Sequence, residues 1–300
     1  MRIHRPCPAL RRGHRDPHAA VLRTLGRRRL VQERASHLFF EKMRNGDNGP
    51  YIMGSVTEPS ADLARSTSVT QETPDARELA NGYAAGHRLY EYGGILLAVV
   101  CASWLALRAA QGAPLSTASL VVAIVTGMLF ADITSGTVHW LCDTWGSPTT
   151  PILGGLAIRT FREHHVDEKA IVRHDFVETN GHNMALSVLP SVVGLMLTQG
   201  NPQGSSFLAA CLLSSAFFVS ITSQVHKWAH MDRPPLFARV LQRLHLILPP
   251  QHHAAHHRAP HTKNFCITTG WLNRPLHALR FFDTLEEIVT AVTGAVPRGS

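Results

Sequence analysis

The chain has 300 residues, of which 45% are hydrophobic, and a formal net charge of +8. Residues 1–44 hold eleven Arg and one Lys against three acidic side chains, so the rest of the chain is nearly neutral. The body of the chain therefore lacks the folded basic surface that nucleic-acid binding requires, and that class is excluded. The five cysteines are odd in number and form no CxxC pair, which excludes a disulfide scaffold and favours reduced thiols.

The N-terminal segment, residues 1–74, is rich in Arg and His, is broken by prolines and shows no steady apolar period. We predict that it is a disordered basic tail. Three interpretations stay open: an organelle-targeting segment, an arm that contacts anionic lipid headgroups, or an extension upstream of a natural start at Met43 or Met53. Residues 295–300 form a second short tail that resembles a linker remnant, which leaves residues 75–294 as the folded domain.

Four apolar runs predict the helices of this domain. Gly93–Ala110, Thr117–Leu141 and Ser205–Val225 are long enough to cross a hydrocarbon layer of about 30 Å, whereas Met184–Thr198 is short for a span. Asp132, inside the second run, should face the bundle interior because a carboxylate is costly in lipid. The predicted fold class is therefore all-α: a multi-pass membrane helical bundle with about four transmembrane helices.

The basic residues outside the tail predict the topology. The turns that join the first and the second helical pair carry no charge, whereas the polar stretch 143–183 and the segment after the fourth run carry several Lys and Arg. The positive-inside rule makes the N-terminus, this stretch and the C-terminal third cytoplasmic, with Arg108 as the one exception. Helical spacing also predicts an interfacial helix at Phe237–Leu248 and an amphipathic helix at Leu276–Val292.

Thirteen of the nineteen histidines lie between His139 and His261, and the clusters among them emerge on the predicted cytoplasmic face. Neutral imidazole is the commonest metal ligand, and pairs four residues apart share one helix face. The predicted metal ligands are His139, Asp143, His164, His165, His174, His226, His230, His252, His253, His256 and His257. One zinc ion needs three or four ligands, so this supply predicts two metal ions in a cytoplasmic histidine-rich cap.

The absence of a ligand-spaced cysteine favours iron that keeps open positions for dioxygen over a structural zinc. Acidic residues in the polar stretch, Glu163, Asp175 and Glu178, are predicted to accept hydrogen bonds from metal-bound imidazoles, although solvated loop charges would look the same. Arg162 and Arg258, near the cytoplasmic face, are predicted to bind a lipid phosphate. His182, His245 and His261 are predicted to support a ligand, to lie at the surface or to be structural, and His87 and His277 are predicted to be plain surface residues.

Four motifs carry a resemblance to a known family. They span Val138–Gly146, Phe161–His165, Arg173–Gly181 and Phe265–Asn273. In this order they resemble the Kua family of histidine-box membrane lipid desaturases, over about residues 75–294. By resemblance, the family's histidine boxes fall on His226–His230 and on His253, His256 and His257, while His139, His164, His165 and His174 match its other histidine positions.

The resemblance implies an oxygen-dependent enzyme that forms the vinyl ether double bond in the sn-1 alkyl chain of plasmanylethanolamine, giving a plasmalogen. It also implies two iron ions and electrons from cytochrome b5 or an equivalent carrier. The expected location is the endoplasmic reticulum in a eukaryote or the inner membrane in a bacterium, with the active site facing the cytoplasm. A related plastid branch desaturates an acyl chain of phosphatidylglycerol, which is the first alternative. An adaptor linked to ubiquitin conjugation and a zinc-dependent membrane hydrolase are further alternatives.

Overall fold

The computed structural model describes residues 85–201 and 204–298, and within these ranges the chain forms helices and loops without a strand. The predicted tail at residues 1–74 lies outside the described residues. The four long helices are α1 Ala85–Ala110, α2 Thr117–Thr144, α5 Phe176–Leu197 and α6 Ser206–His230. The short helices are α3 Arg159–Val166, α4 Ala170–Arg173, α7 Leu236–Arg243, α8 Pro250–Ala254, α9 Asn273–Ala278 and α10 Phe281–Thr293, with a π-helical turn at Gly154–Ile158 before α3.

Three of the long helices have the length and apolar composition of membrane spans. These are Gly86–Ala110 within α1, Thr117–Thr144 and Ser206–His230. At 1.5 Å per residue each exceeds the roughly 30 Å hydrocarbon core. Large apolar side chains such as Leu96 and Trp104 are exposed on their outer surface, as expected for residues that face lipid. The prediction of an all-α membrane bundle is confirmed.

Helix α5 is the fourth long helix, and it packs against both α1 and α6. It begins eight residues before the predicted Met184, because the Asp175 side chain caps it by accepting a hydrogen bond from the Glu178 N–H at 3.0 Å. Its first turns are polar, and it is not among the three candidate spans. The sequence therefore predicted the number of bundle helices correctly and the start of this one wrongly.

Small residues allow the bundle helices to approach closely. A β-carbon on Gly94 would lie 2.7 Å from Cβ of Ala185, and one on Gly194 would lie 2.7 Å from a methyl group of Leu105. The hydroxyl of Ser214 in α6 donates to the carbonyl of Ile124 in α2 at 3.1 Å. Such contacts replace the hydrophobic driving force that is missing between helices in lipid.

Two helices predicted in the C-terminal region differ in extent from those in the structure. The predicted helix Phe237–Leu248 ends at Arg243, because His245 adopts a left-handed backbone conformation (φ 56°), and Leu248 turns inward to the core beside Val225. The predicted helix Leu276–Val292 is divided into α9 and α10 by Arg280, which is also left-handed (φ 51°). Left-handed backbone at residues other than Gly is uncommon, and apolar spacing does not signal it.

Asp132 of α2 is fully buried and joins the bundle to the loop that precedes α9. Its carboxylate accepts hydrogen bonds from the backbone N–H groups of Thr269 at 2.8 Å, Gly270 at 3.0 Å and Leu272 at 3.0 Å. The carboxylate therefore faces the protein interior, as expected for an acid within a membrane span. It fixes the C-terminal loop against the end of the bundle where the histidines lie.

Candidate metal centre

The histidines converge because the helices that carry them end at the same end of the bundle. His139 and Asp143 are in the last turns of α2, and His226 and His230 are in the last turns of α6. Each pair is four residues apart, so both side chains of a pair lie on one helix face. The short helices α3 and α8 and the turn after α8 supply the remaining histidines.

Five imidazoles form the first group of potential metal ligands, here called the five-histidine group. Its members are His164, His226, His230, His253 and His257, whose ligand atoms all lie within 4.8 Å of one another. The Nε2 atom of His253 is 2.8 Å from that of His226 and 2.9 Å from that of His257. Two ligands at right angles on a metal with bonds of about 2.1 Å would stand about 3 Å apart, which matches this spacing.

Three imidazoles and one carboxylate form the second group, here called the mixed group. Its members are His139, Asp143, His165 and His256. The Oδ2 atom of Asp143 lies 3.0 Å from Nε2 of His165, 3.3 Å from Nε2 of His139 and 3.4 Å from Nε2 of His256. A carboxylate oxygen surrounded by three imidazole nitrogens has the arrangement of a fourth ligand on a shared ion.

Consecutive residues of α3 serve the two groups. His164 belongs to the five-histidine group and His165 to the mixed group. Adjacent residues on an α-helix point about 100° apart, so a helix that runs between two metal sites can contribute one ligand to each. The rings of His139 and His226, one from each group, have centroids 6.0 Å apart, so the two groups are immediate neighbours.

Buried nitrogen atoms without hydrogen-bond partners indicate that these residues suit a metal. Both ring nitrogens of His164 and Nε2 of His139 are buried and lack a partner among the described residues. An unpaired buried polar atom is costly, and a bound cation would remove that cost. Burial, reinforced by the neighbouring imidazoles, holds the pKa of His164 and of His253 well below its usual value, so both rings are neutral and their lone pairs are available.

Backbone carbonyls orient the ligand rings of the mixed group. Nδ1 of His256 donates to the carbonyl of Lys263 at 2.8 Å, and Nδ1 of His139 donates to the carbonyl of Phe265 at 3.2 Å. Each bond puts the proton on Nδ1 and leaves Nε2 as the metal-binding nitrogen. The sequence analysis predicted that acidic side chains accept these hydrogen bonds. Backbone carbonyls were missed because every residue has one, so the sequence does not indicate which of them contacts an imidazole. Of the acidic residues, Glu168 lies beside a ligand, with Oε1 3.4 Å from Nδ1 of His257.

The structure leaves two predicted ligands outside both groups. Nε2 of His174 faces acidic side chains, at 3.6 Å from Glu178 and 3.9 Å from Glu163. Nε2 of His252 lies 3.0 Å from the side-chain amide of Asn273. Spacing along the chain could not separate these histidines from their neighbours, because adjacent residues on one turn point in different directions.

The predicted supporting and substrate-binding residues have other contacts. Asp175 pairs with Arg88, and Glu163 pairs with Arg159 at 3.0 Å, so neither contacts a ligand imidazole of the two groups through these bonds. Arg162 is buried and donates to the backbone carbonyls of Trp145 and Gly146 at 3.4 Å each. Arg258 is exposed. Their predicted role in binding phosphate stays a prediction.

A cavity of about 450 Å³ reaches the five-histidine group. His164 and His226 form part of its wall, and Leu153, Leu156, Leu186 and Leu189 are among its apolar lining residues. Its polar side chains include Glu163, His174, Glu178, His182 and Asn183. A groove of about 670 Å³ in the apolar part of the bundle contains no histidine among its lining residues. The 450 Å³ cavity can therefore bring an apolar chain to the five-histidine group, whereas this groove does not reach it.

Fold and site together define a helical membrane protein in which two adjacent groups of side chains could bind metal beside an apolar cavity. The model of the lipid desaturase domain matches residues 128–300, which is more than half of the chain. The chain therefore belongs to the lipid desaturase family, and it is an oxidoreductase that acts on lipids.

The similar proteins agree with this family. The chain is 48% identical to a plasmanylethanolamine desaturase of Myxococcus xanthus over 225 residues, which cover 75% of this chain and 79% of that protein. It is 41% identical to plasmanylethanolamine desaturase 1 of Mus musculus over 232 residues, covering 74% and 84%. It is 34% identical to the chloroplastic fatty acid desaturase 4 of Arabidopsis thaliana over 175 residues, covering 57% and 52%. No solved structure matches the chain.

Proposed function

We propose that this protein is an oxygen-dependent desaturase that forms the vinyl ether double bond in the sn-1 alkyl chain of plasmanylethanolamine. The cavity that joins an apolar wall to His164 and His226 is the observation that carries the proposal. Two relatives with identities above 40% over about three quarters of the chain are named for this activity. The five-histidine group and the mixed group would each hold one iron ion, and His174 and His252 are left out of these ligand sets.

The donor set supports iron as the metal of this proposal. The two groups supply eight imidazole nitrogens and one carboxylate, and no thiolate. Such donors suit iron that must accept dioxygen, whereas a permanent tetrahedral zinc more often recruits Cys. The four cysteines within the described residues are buried and belong to neither group. Iron and dioxygen together would supply the oxidant that an unactivated C–H bond requires.

The overall reaction balances with one dioxygen and two external electrons. The first two carbons of the sn-1 alkyl chain lose one hydrogen atom each and gain a double bond, while dioxygen takes these hydrogens, two electrons and two protons and leaves as two water molecules. The protein's part is to bind the alkyl chain along the cavity, to hold its first two carbons beside His164 and His226, and to keep water away from them. The electrons would come from cytochrome b5 or an equivalent carrier.

Placement in the membrane is part of the same proposal. The histidine-bearing ends of α2 and α6 and the charged stretch between α2 and α5 lie at one end of the bundle, which the positive-inside rule makes cytoplasmic. We infer a folded desaturase domain at residues 75–294 in the endoplasmic reticulum of a eukaryote or the inner membrane of a bacterium. Desaturation of a phosphatidylglycerol acyl chain is the second candidate, supported by the similarity to a relative named fatty acid desaturase 4.

Expression in cells that contain plasmanyl but no plasmenyl phospholipid tests the proposal. Acid-labile vinyl ether lipid is then measured by mass spectrometry, with metal content of the purified protein measured in parallel. The matched controls are His257→Ala, which removes a member of the five-histidine group, and His277→Ala, an exposed histidine outside both groups. Cells grown without oxygen provide a third control.

The expected result is vinyl ether lipid from the unchanged chain and from His277→Ala, and none from His257→Ala or without oxygen. An iron-loaded, membrane-inserted chain that makes no vinyl ether lipid but desaturates acyl chains would replace the proposal with the second candidate. Purified active protein that contains zinc in place of iron would overturn the oxygenase chemistry.

A further inference from the structure

Two acidic side chains line the polar part of the 450 Å³ cavity. Glu163 and Glu178 are among its lining residues, and no Lys or Arg is among the described residues that form its wall. Both carboxylates approach one ring: their Oε1 atoms lie 3.9 Å and 3.6 Å from Nε2 of His174. An acidic pair in a largely apolar cavity is costly unless a cation or hydrogen-bond donor accompanies it.

The cations near this pair are not among the lining residues of the cavity. Arg159 donates to Oε2 of Glu163 at 3.0 Å, and the Lys227 ammonium donates to the carbonyl of His174. Asp175, three residues before Glu178, is paired with Arg88. The ion-pair contact of Glu178 is the His174 imidazole, and Arg159, Arg88 and Lys227 also act on its carboxylate electrostatically.

The same cavity reaches the five-histidine group. His164, a buried member of that group, is among its lining residues. The reacting carbons of an ether phospholipid must lie beside this histidine, and a glycerol and a phosphate connect those carbons to the headgroup. A lipid with its alkyl chain along the leucines would thus have its headgroup within reach of the acidic pair.

We propose that Glu178, assisted by Glu163, binds the primary ammonium group of an ethanolamine phospholipid headgroup and so determines headgroup specificity. The inference rests on the proposed function for the position of the reacting carbons. An ammonium group can donate to both carboxylates, and such charge-assisted hydrogen bonds are the stronger kind. A phosphatidylglycerol headgroup has no cation, so its net negative charge would be repelled by the same pair. A choline headgroup has a cation without N–H donors and would bind less well.

Lipid competition on the iron-loaded full chain tests the subsite without relying on turnover. The protein in detergent is exchanged against equal amounts of phosphatidylethanolamine and phosphatidylglycerol with identical acyl chains, and the retained lipid is quantified by native mass spectrometry. Glu178→Gln keeps the size and removes the charge, and Glu287→Gln on α10 is the matched exposed control. Glu178 is preferred to Glu163 because Glu163 adjoins a proposed ligand, His164.

The expected result is a preference for the ethanolamine lipid that falls about tenfold in Glu178→Gln, as the loss of one charge-assisted bond implies, and is unchanged in Glu287→Gln. In turnover, the same variant should raise KM for plasmanylethanolamine and leave kcat and iron content unchanged. With N-acetylated plasmanylethanolamine, which has no ammonium group, the variant and the unchanged chain should have equal KM. If Glu178 had only a structural role, the substitution would instead raise KM for both substrates equally.

Different results would refute the headgroup subsite and the desaturase function. Full retention of the ethanolamine preference in Glu178→Gln, or no preference in the unchanged chain, would overturn the subsite. Vinyl ether formation at equal rates from ethanolamine and glycerol lipids would overturn it too, while leaving the desaturase function standing. A preference that depends on Glu178 in an iron-loaded chain without desaturase activity would support the subsite and refute the function.

Discussion

Replacing Asp132 with Asn is expected to loosen the loop that completes the metal centre. The carboxylate is fully buried and accepts three backbone hydrogen bonds, two at Oδ1 from Thr269 and Gly270 and one at Oδ2 from Leu272. The same loop begins at Phe265, whose carbonyl orients His139. The substitution should therefore lower both the free energy of unfolding and the affinity for metal.

The hydrogen bonds give the expected magnitude. Hydrogen bonds to a charged group contribute about 1.5 to 3 kcal/mol and neutral ones about 0.5 to 1.5 kcal/mol, so the two bonds at an amide oxygen would lose about 1 kcal/mol each. The amide NH₂ would face the Leu272 N–H, and leaving a buried donor unpaired costs about 1 to 3 kcal/mol. The smaller desolvation cost of a neutral side chain offsets part of this, so the free energy of unfolding should fall by about 2 to 4 kcal/mol.

Thermal unfolding of the purified full chain in detergent measures the effect. At about 2 to 4 °C per kcal/mol for a chain of this size, the melting temperature should fall by roughly 8 °C. Asp283→Asn is the matched control, because its half-exposed carboxylate pairs with Arg280 at the surface and a surface pair contributes little. A fall of less than about 2 °C in Asp132→Asn, or an equal fall in the control, would refute the assigned role of the three hydrogen bonds.

Three further predictions concern the ligand groups and their support. His164→Ala and His165→Ala should each weaken one of two metal sites by at least about tenfold, giving about one tightly bound ion per chain by elemental analysis, while His277→Ala keeps two. Gly136→Ala should destabilise the chain by about 1 to 3 kcal/mol in thermal unfolding, since its β-carbon would lie 2.6 Å from Sγ of Cys266, whereas Gly93→Ala, with open space, should not. Removing bound metal with a chelator should lower the melting temperature, because a metal present at 100 times its Kd stabilises the fold by about 2.7 kcal/mol, and adding iron back should restore it.

Each of these has an outcome that contradicts it. Equal metal content in both histidine variants and the unchanged chain would reject the two groups as binding sites. A stable Gly136→Ala protein would show that Cys266 can move away at little cost. A melting temperature that does not change when the chelator is added would mean that the stability of the folded bundle does not depend on bound metal.

Sequence alone was sufficient for the helical bundle, because apolar runs of membrane length have few other stable arrangements than helices that satisfy their own backbone hydrogen bonds. The runs at α2 and α6 were found within five residues at each end, whereas α1 begins eight residues before the predicted Gly93. The start of α5 was missed, because its first turns are polar and the signal for that start is one capping side chain, Asp175. The breaks at His245 and Arg280 were missed because left-handed backbone at such residues leaves no pattern in apolar spacing.

For the candidate site too, the sequence predicted one part and the tertiary structure decided the other. The residue types and their clustering predicted a histidine-rich metal centre, since so many imidazoles near one membrane face suit metal ligation. Tertiary structure alone separates the five-histidine group from the mixed group, with neighbours His164 and His165 in different groups and His174 and His252 in neither. The physical reason is that a ligand is defined by where its nitrogen atom points, which depends on helix rotation and on carbonyls such as those of Lys263 and Phe265. Sequence specifies the chemistry that is available, and packing decides which atoms meet.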